Sequence, residues 1–153
     1  MLTRKACPEC AVKIAACSPP YCNDALVALS YEGLARDVML GFKYRNQRAV
    51  AALFAELLLA RLRTVQEIDH LDVVTWVPTT RERRMARGHD QAETLARIIG
   101  WSLGVPVRKL LDRKTIGHQT GHSRAQRLIG VAFRGRSMSA PVTVLVVDDV
   151  VTT

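Results

Sequence analysis

The sequence predicts an α/β domain built on a parallel sheet and preceded by a small zinc-ribbon-like module. Three observations carry that expectation. The β-branched run "HLDVVTWVP" (70 to 78) is followed by a polar turn and then by a helical stripe in "AETLARIIGWSL" (92 to 103), the strand–loop–helix order from which parallel sheets are assembled. A second apolar run, "VTVLVVDDV" (142 to 150), stops on two adjacent aspartates. All four cysteines fall within the first 22 residues, apart from both runs.

Composition sets the outer limits. At 153 residues and 48% apolar the chain can bury a core of its own, which argues against a disordered protein. Its longest apolar stretch, "AVAALFAELLLA" (49 to 60), is shorter than the roughly 18 residues of a membrane span and is interrupted by Glu56. The opening "MLTRKACPEC" has no apolar h-region, so no secretory signal is read and a cytoplasmic location is expected.

"CPECAVKIAACSPPYC" places Cys7, Cys10, Cys17 and Cys22 as a C-x2-C pair followed by a C-x4-C pair. Two such pairs converge on one tetrahedral Zn²⁺, and a reducing compartment favours metal over disulfide. A segment of residues 1–30 is too short to bury a core alone, so the metal would supply its folding free energy. With four thiolates closed around it such a zinc is structural. The alternative is that the second pair, which encloses Ser18, Pro19 and Pro20, leaves the cysteines oxidised or idle.

The remaining residues, 31–153, read as one domain. In "YEGLARDVMLGFKYR" (31 to 45), Leu34, Val38 and Phe42 recur at helical spacing, with Gly33 as a boundary. From 48 to 62, Val50, Leu53, Phe54, Leu57, Leu58 and Leu62 form a wide apolar face, the mark of a core helix. The 70 to 78 run is expected to be a strand buried on both faces. Residues 79 to 91 read as an arginine-rich turn, and Leu95, Ile98, Ile99 and Leu103 as the stripe of the next helix, capped by Gly104. "VPVRKLLDR" (105 to 113) suggests a short strand, and the His- and Gly-containing stretch 114 to 127 a mobile loop leading into a short helix. The run from 142 is the clearest strand of all.

Charge is concentrated in one segment. Between Arg81 and Arg136 there are 13 Lys/Arg and 4 Asp/Glu, a balance of +9 against +8 for the whole chain. Such a segment suits a polyanion, either a nucleic-acid backbone or the phosphates of a small substrate, or else is a solvated basic face.

"VLVVDDVVTT" (144 to 153) narrows that choice. A Walker B strand also ends on Asp, but the chain contains no G-x4-G-K-[ST] to cradle phosphates. Two carboxylates followed by two hydroxyls suit a phosphorylated sugar: the carboxylates accept from vicinal ribose hydroxyls, and the threonines and following N–H groups hold a phosphate. The stretch resembles the signature of type I phosphoribosyltransferases.

The cysteine knuckle, "YEG…FKY", "VPTTRERRMARGHDQAETLA", "LLDRKTIGHQ" and the acidic strand, in that order, are together similar to the ComF family of competence-associated proteins, and the similarity covers essentially the whole chain. It implies an N-terminal zinc module ahead of a type I phosphoribosyltransferase-like fold, pentosyl transfer from phosphoribosyl pyrophosphate with Mg²⁺, and a link to uptake of single-stranded DNA or to competence proteins. Under it, Asp148 and Asp149 meet the ribose hydroxyls, and Thr152 and Thr153 begin the 5′-phosphate loop. Thr79 with Arg84, Arg87 and Gly88 faces pyrophosphate, and Arg113, Lys114 and Gln119 belong to the segment that closes over substrate. The signature continues with a glycine, a further threonine and a helix, whereas this sequence ends at Thr153. The expectation is therefore a phosphate loop left incomplete and impaired transferase activity. The alternative is a non-enzymatic zinc protein that binds single-stranded nucleic acid through its basic segment.

Overall fold

Two stretches far apart in sequence form the centre of the structure. β1 (Val73–Trp76) pairs in parallel with β4 (Val144–Val147), Val73 opposite Val144 through to Trp76 opposite Val147. On the other side of β1, Val107 bridges Val74, also in parallel; Val74 donates its N–H to the Pro106 carbonyl and accepts from Arg108, both at 2.9 Å. This computed structural model describes residues 13, 25–44, 50–64, 70–114 and 132–151. Within them the architecture is mixed α/β with a small parallel sheet.

The helices are α1 (Gly33–Tyr44), α2 (Val50–Leu62), α3 (Arg81–Arg87) and α4 (Gln91–Leu103), and a short antiparallel pair is made by β2 (Leu111–Arg113) and β3 (Phe133–Gly135). α4 lies on β1 and β4 and packs against α2, which in turn meets α1. Val74, Trp76, Phe42, Phe54, Leu95, Ile99 and Val147 meet in one core. Burial of a side chain such as Phe42 or Leu95, both at most 1% exposed, contributes on the order of 1.5–3 kcal/mol. All four residues of β1 are buried, as expected for a strand covered on both faces.

The sequence expectations are refined in four places. In α1 the core face is Ala35, Met39, Gly41 and Phe42, while Leu34 and Val38 are only half-buried. In α2 it is Ala51, Phe54, Ala55, Leu59 and Leu62, so alanines allow the close approach that an all-apolar helix leaves undetermined. Residues 81 to 87, expected within a turn, are helical: Thr80 caps the first turn by accepting from Arg83 N–H, and Gly88 ends it in the left-handed conformation at φ 73°. The expected 105 to 113 strand is divided into the Val107 bridge and β2. Gly104 caps α4 as expected, at φ 68° with its N–H on the Gly100 and Trp101 carbonyls.

No helix among the described residues is long and apolar enough to cross a membrane. The four cysteines and residues 115–127 of the segment read as a mobile loop lie outside the described residues.

Gly100 has a packing reason. A Cβ there would strike the Val107 side chain and the Val105 carbonyl oxygen. In an unhindered helix Gly→Ala stabilises by up to about 1 kcal/mol. Here Gly100→Ala is expected to destabilise by about 1–3 kcal/mol, read as a lower urea midpoint with unchanged slope.

Candidate functional site

Parallel pairing puts the carboxyl ends of β1 and β4 on the same edge of the sheet, where ligands of open α/β sheets bind. β1 runs on into Val77, Pro78 and Thr79; β4 runs on into Asp148 and Asp149. Between them opens a cleft of about 540 Å³, walled by Lys43, Arg83, Arg87, Arg113 and Thr79 as well as the two aspartates. That size is ordinary for a small-molecule site.

The Thr79 turn is held from below. Asp90 caps α4: its Oδ1 accepts from Glu93 N–H at 3.3 Å, while its Oδ2 accepts from Thr79 N–H at 2.9 Å. One buried carboxylate thus fixes the start of a helix and the mouth of the cleft together. A carboxylate suits this place better than an amide, because both oxygens must accept.

Arg87 is restrained from two sides. Its Nη1 donates to Gln91 Oε1 at 3.2 Å and its Nη2 to the Tyr44 hydroxyl at 3.1 Å, with the guanidinium 4.8 Å from the Tyr44 ring centroid. Arginine only donates, so Gln91 presents its oxygen to Arg87 and its NH₂ to His89 Nε2, 3.2 Å away. His89 Nε2 then accepts, and its Nδ1–H donates to the Arg87 carbonyl at 3.0 Å. The ring packs against Phe42, centroids 5.4 Å apart.

Arg113 enters from β2, its guanidinium 5.8 Å from the Phe133 ring of β3. The same pair of strands is braced by Asp112, which accepts from Lys109 at 2.6 Å and from Arg136 at 3.1 Å. Hydrogen bonds from Lys109 and then Arg136 hold the Asp112 carboxyl down at about 2.

The two aspartates differ. Asp149 is ion-paired: its Oδ2 lies 2.9 Å from Lys43 Nζ, with side-chain exposures of 18% and 15%. Asp148 accepts the Asp149 N–H at 2.7 Å and keeps access to solvent. Partial desolvation is the main force raising its carboxyl to about 6, opposed by that N–H and reinforced by the neighbouring carboxylate.

Of the residues expected from sequence, Asp148, Asp149, Thr79, Arg87 and Arg113 are brought to this cleft. Arg84 and Lys114 line an adjoining cavity of about 340 Å³ instead, and Arg84 is 3.4 Å from Glu93. Gly88 acts through its backbone as the cap of α3. Thr152, Thr153, Gln119 and the cysteines Cys7, Cys10, Cys17 and Cys22 lie outside the described residues. Sequence reasoning gave no role to Lys43, Arg83, Asp90, Gln91 or Tyr31, although all lie within the strings "YEG…FKY" and "RERRMARGHDQ".

Among the described residues no group of three or more His, Cys, Asp or Glu is arranged to hold a metal ion. Of the two carboxylates that follow β4, Asp149 is already paired to Lys43.

Asp90→Ala is expected to cost about 1–2 kcal/mol and to release the Thr79 turn, seen as faster exchange of the Thr79 amide hydrogen. Asp90→Asn restores one of the two hydrogen bonds and falls between. No family model matches the chain, and no curated protein or solved structure matches it significantly, so the functional reading rests on the chemistry of this cleft.

Proposed function

We propose that the cleft binds phosphoribosyl pyrophosphate together with Mg²⁺ and that the fold is of the type I phosphoribosyltransferase kind, acting in pentosyl transfer to a base or amine. The observation that carries this reading is the arrangement of charge across one cleft. A carboxylate pair follows β4, and Arg83, Arg87 and Arg113 stand with Thr79 around the same space. Vicinal ribose hydroxyls donate to carboxylates, while a pyrophosphate calls for guanidinium groups and a hydroxyl donor such as that of Thr79. A dissociating pyrophosphate gathers negative charge, which fixed arginines stabilise most when water is excluded.

The Zn²⁺ proposed for the four cysteines belongs to a structural site and takes no part in this chemistry. A second reading, capture of single-stranded nucleic acid, draws on α3, which buries none of its residues and exposes Arg81, Arg83 and Arg84. Beside it stands Tyr44, 66% exposed. Binding to an oligonucleotide with a steep salt dependence would favour that reading.

Calorimetric titration of Mg²⁺–phosphoribosyl pyrophosphate into the zinc-loaded chain is the deciding experiment. Saturable binding is expected, weakened about tenfold or more by Asp148→Asn or Arg87→Ala. Absence of binding by the parent chain would sink the proposal.

The raised carboxyl of Asp148 carries a stability signature. Because the folded chain holds that proton more tightly than the unfolded one, its contribution is full below 3.8 and is lost as pH rises to about 6. Asp148→Asn is therefore expected to remove that decline and to leave the protein more stable than its parent above pH 6. Paired denaturation curves across this range test the sign.

A further inference from the structure

We propose that Lys43 is a positioning residue of the cleft: its ammonium anchors Asp149, leaving Asp148 as the carboxylate that takes the proton shed by the acceptor. The role of Asp148 toward a ligand rests on the phosphoribosyl reading above, whereas the hold of Lys43 on Asp149 does not.

The geometry behind this is one-sided. Lys43 sits in the last turn of α1 between two anchored neighbours: Phe42, fully buried in the core, and Tyr44, whose hydroxyl accepts from Arg87. Its backbone position is therefore set, and the ammonium is directed to Asp149 Oδ2 at 2.9 Å. On its other side the Tyr31 ring centroid is 5.9 Å away, close enough for a cation–π contribution. Both members of the pair are largely withdrawn from solvent, so the pairing is stronger than that of an exposed ion pair.

Asp148 is not ion-paired with Lys43; among the described residues its polar contacts are with Asp149, through that residue's N–H at 2.7 Å and its carboxyl. Both aspartates border an apolar cavity of about 120 Å³ lined by Leu29, Met39 and Val150, so the ammonium on Asp149 is what distinguishes them. The ionisable groups sharing the cleft with Asp148 are Tyr31 and Lys43, Arg83 and Arg87 of α3, Asp90 at the start of α4, Arg113 of β2, and Asp149. Two adjacent carboxylates in unlike surroundings take unlike roles.

In the transfer this assigns the proton. As the acceptor's nitrogen bonds to the ribose C1, the C1–O bonding pair leaves with pyrophosphate. The proton shed by the acceptor passes to the Asp148 carboxylate and from there to solvent, with no change of oxidation state.

The test uses two readouts on the full chain. The first follows the Asp148 carboxyl by ¹³C NMR titration without ligand, the signal assigned with Asp148→Asn. Lys43→Met removes a positive charge that favours the ionised form, so the Asp148 midpoint should move up, and Lys43→Arg should restore it. The second measures the affinity for Mg²⁺–phosphoribosyl pyrophosphate, with a loss of about tenfold or more expected for Lys43→Met and little for Lys43→Arg. If Lys43→Met does not fold, Lys43→Gln takes its place. An unmoved Asp148 midpoint in the folded neutral variant overturns the proposal. A moved midpoint with unchanged affinity overturns its ligand half. Failure of the parent chain to bind refutes the phosphoribosyl reading while the titration still judges Lys43.

Discussion

The cleft exists because β1 pairs with β4 in one register. Asp72 and Thr143 lock the start of that pairing: Asp72 donates its N–H to the Thr143 carbonyl and accepts the Thr143 N–H on its side chain, at 3.0 and 2.7 Å. At the far end Val77 donates to the Val147 carbonyl at 2.9 Å. Between these clamps a slip of one residue would turn every side chain of β4 to the other face. Val147 would leave the core, and the two aspartates would exchange directions. The position of the carboxylate pair is thus a consequence of backbone pairing at both ends of the strand, not of the aspartates' own contacts.

With that edge set, the cleft is assembled from elements distant in sequence. α1 supplies Lys43, α3 supplies Arg83 and Arg87, β2 supplies Arg113, and the carboxylates follow β4. Repulsion between adjacent carboxylates is relieved in two ways, by the ammonium on Asp149 and by the backbone N–H on Asp148. Asp90, the third carboxylate at the cleft, is already committed to two N–H donors. The cations opposite therefore keep most of their field for a ligand.

Much of the scaffold was legible before the structure. A β-branched run without charged residues signals a strand covered on both faces, and Gly104 marks the end of α4 because a left-handed residue is needed there. What escaped has physical causes. The α1 stripe was read from its large side chains, Leu34 and Val38, but close packing selects Ala35 and Met39 one residue along. α3 has no apolar periodicity to read, since it buries nothing; its evidence was in the caps, Thr80 and Gly88. β3 is three residues long and carries an arginine and a glycine. Asp148, Asp149, Thr79, Arg87 and Arg113, expected together from the resemblance, line one candidate cleft. Lys43 was not expected there, because its partner lies at the other end of the chain and no local pattern encodes such a pairing.

Arg87 shows how the fold prepares the cleft before a ligand enters. A free arginine side chain carries about 2 kcal/mol of rotamer entropy, which a ligand would have to immobilise. Here Tyr44 and Gln91 have already restricted the guanidinium, and Gln91 is itself 1% exposed and oriented by His89. His89 is fixed in turn by the Arg87 carbonyl and the ring of Phe42. The chain of contacts closes on itself, so the direction of Arg87 is set by the hydrophobic core through Phe42 instead of by the ligand. An anion entering between α3 and the carboxylates of β4 meets a donor whose ordering has been done during folding, the condition under which a fixed charge stabilises a developing one most.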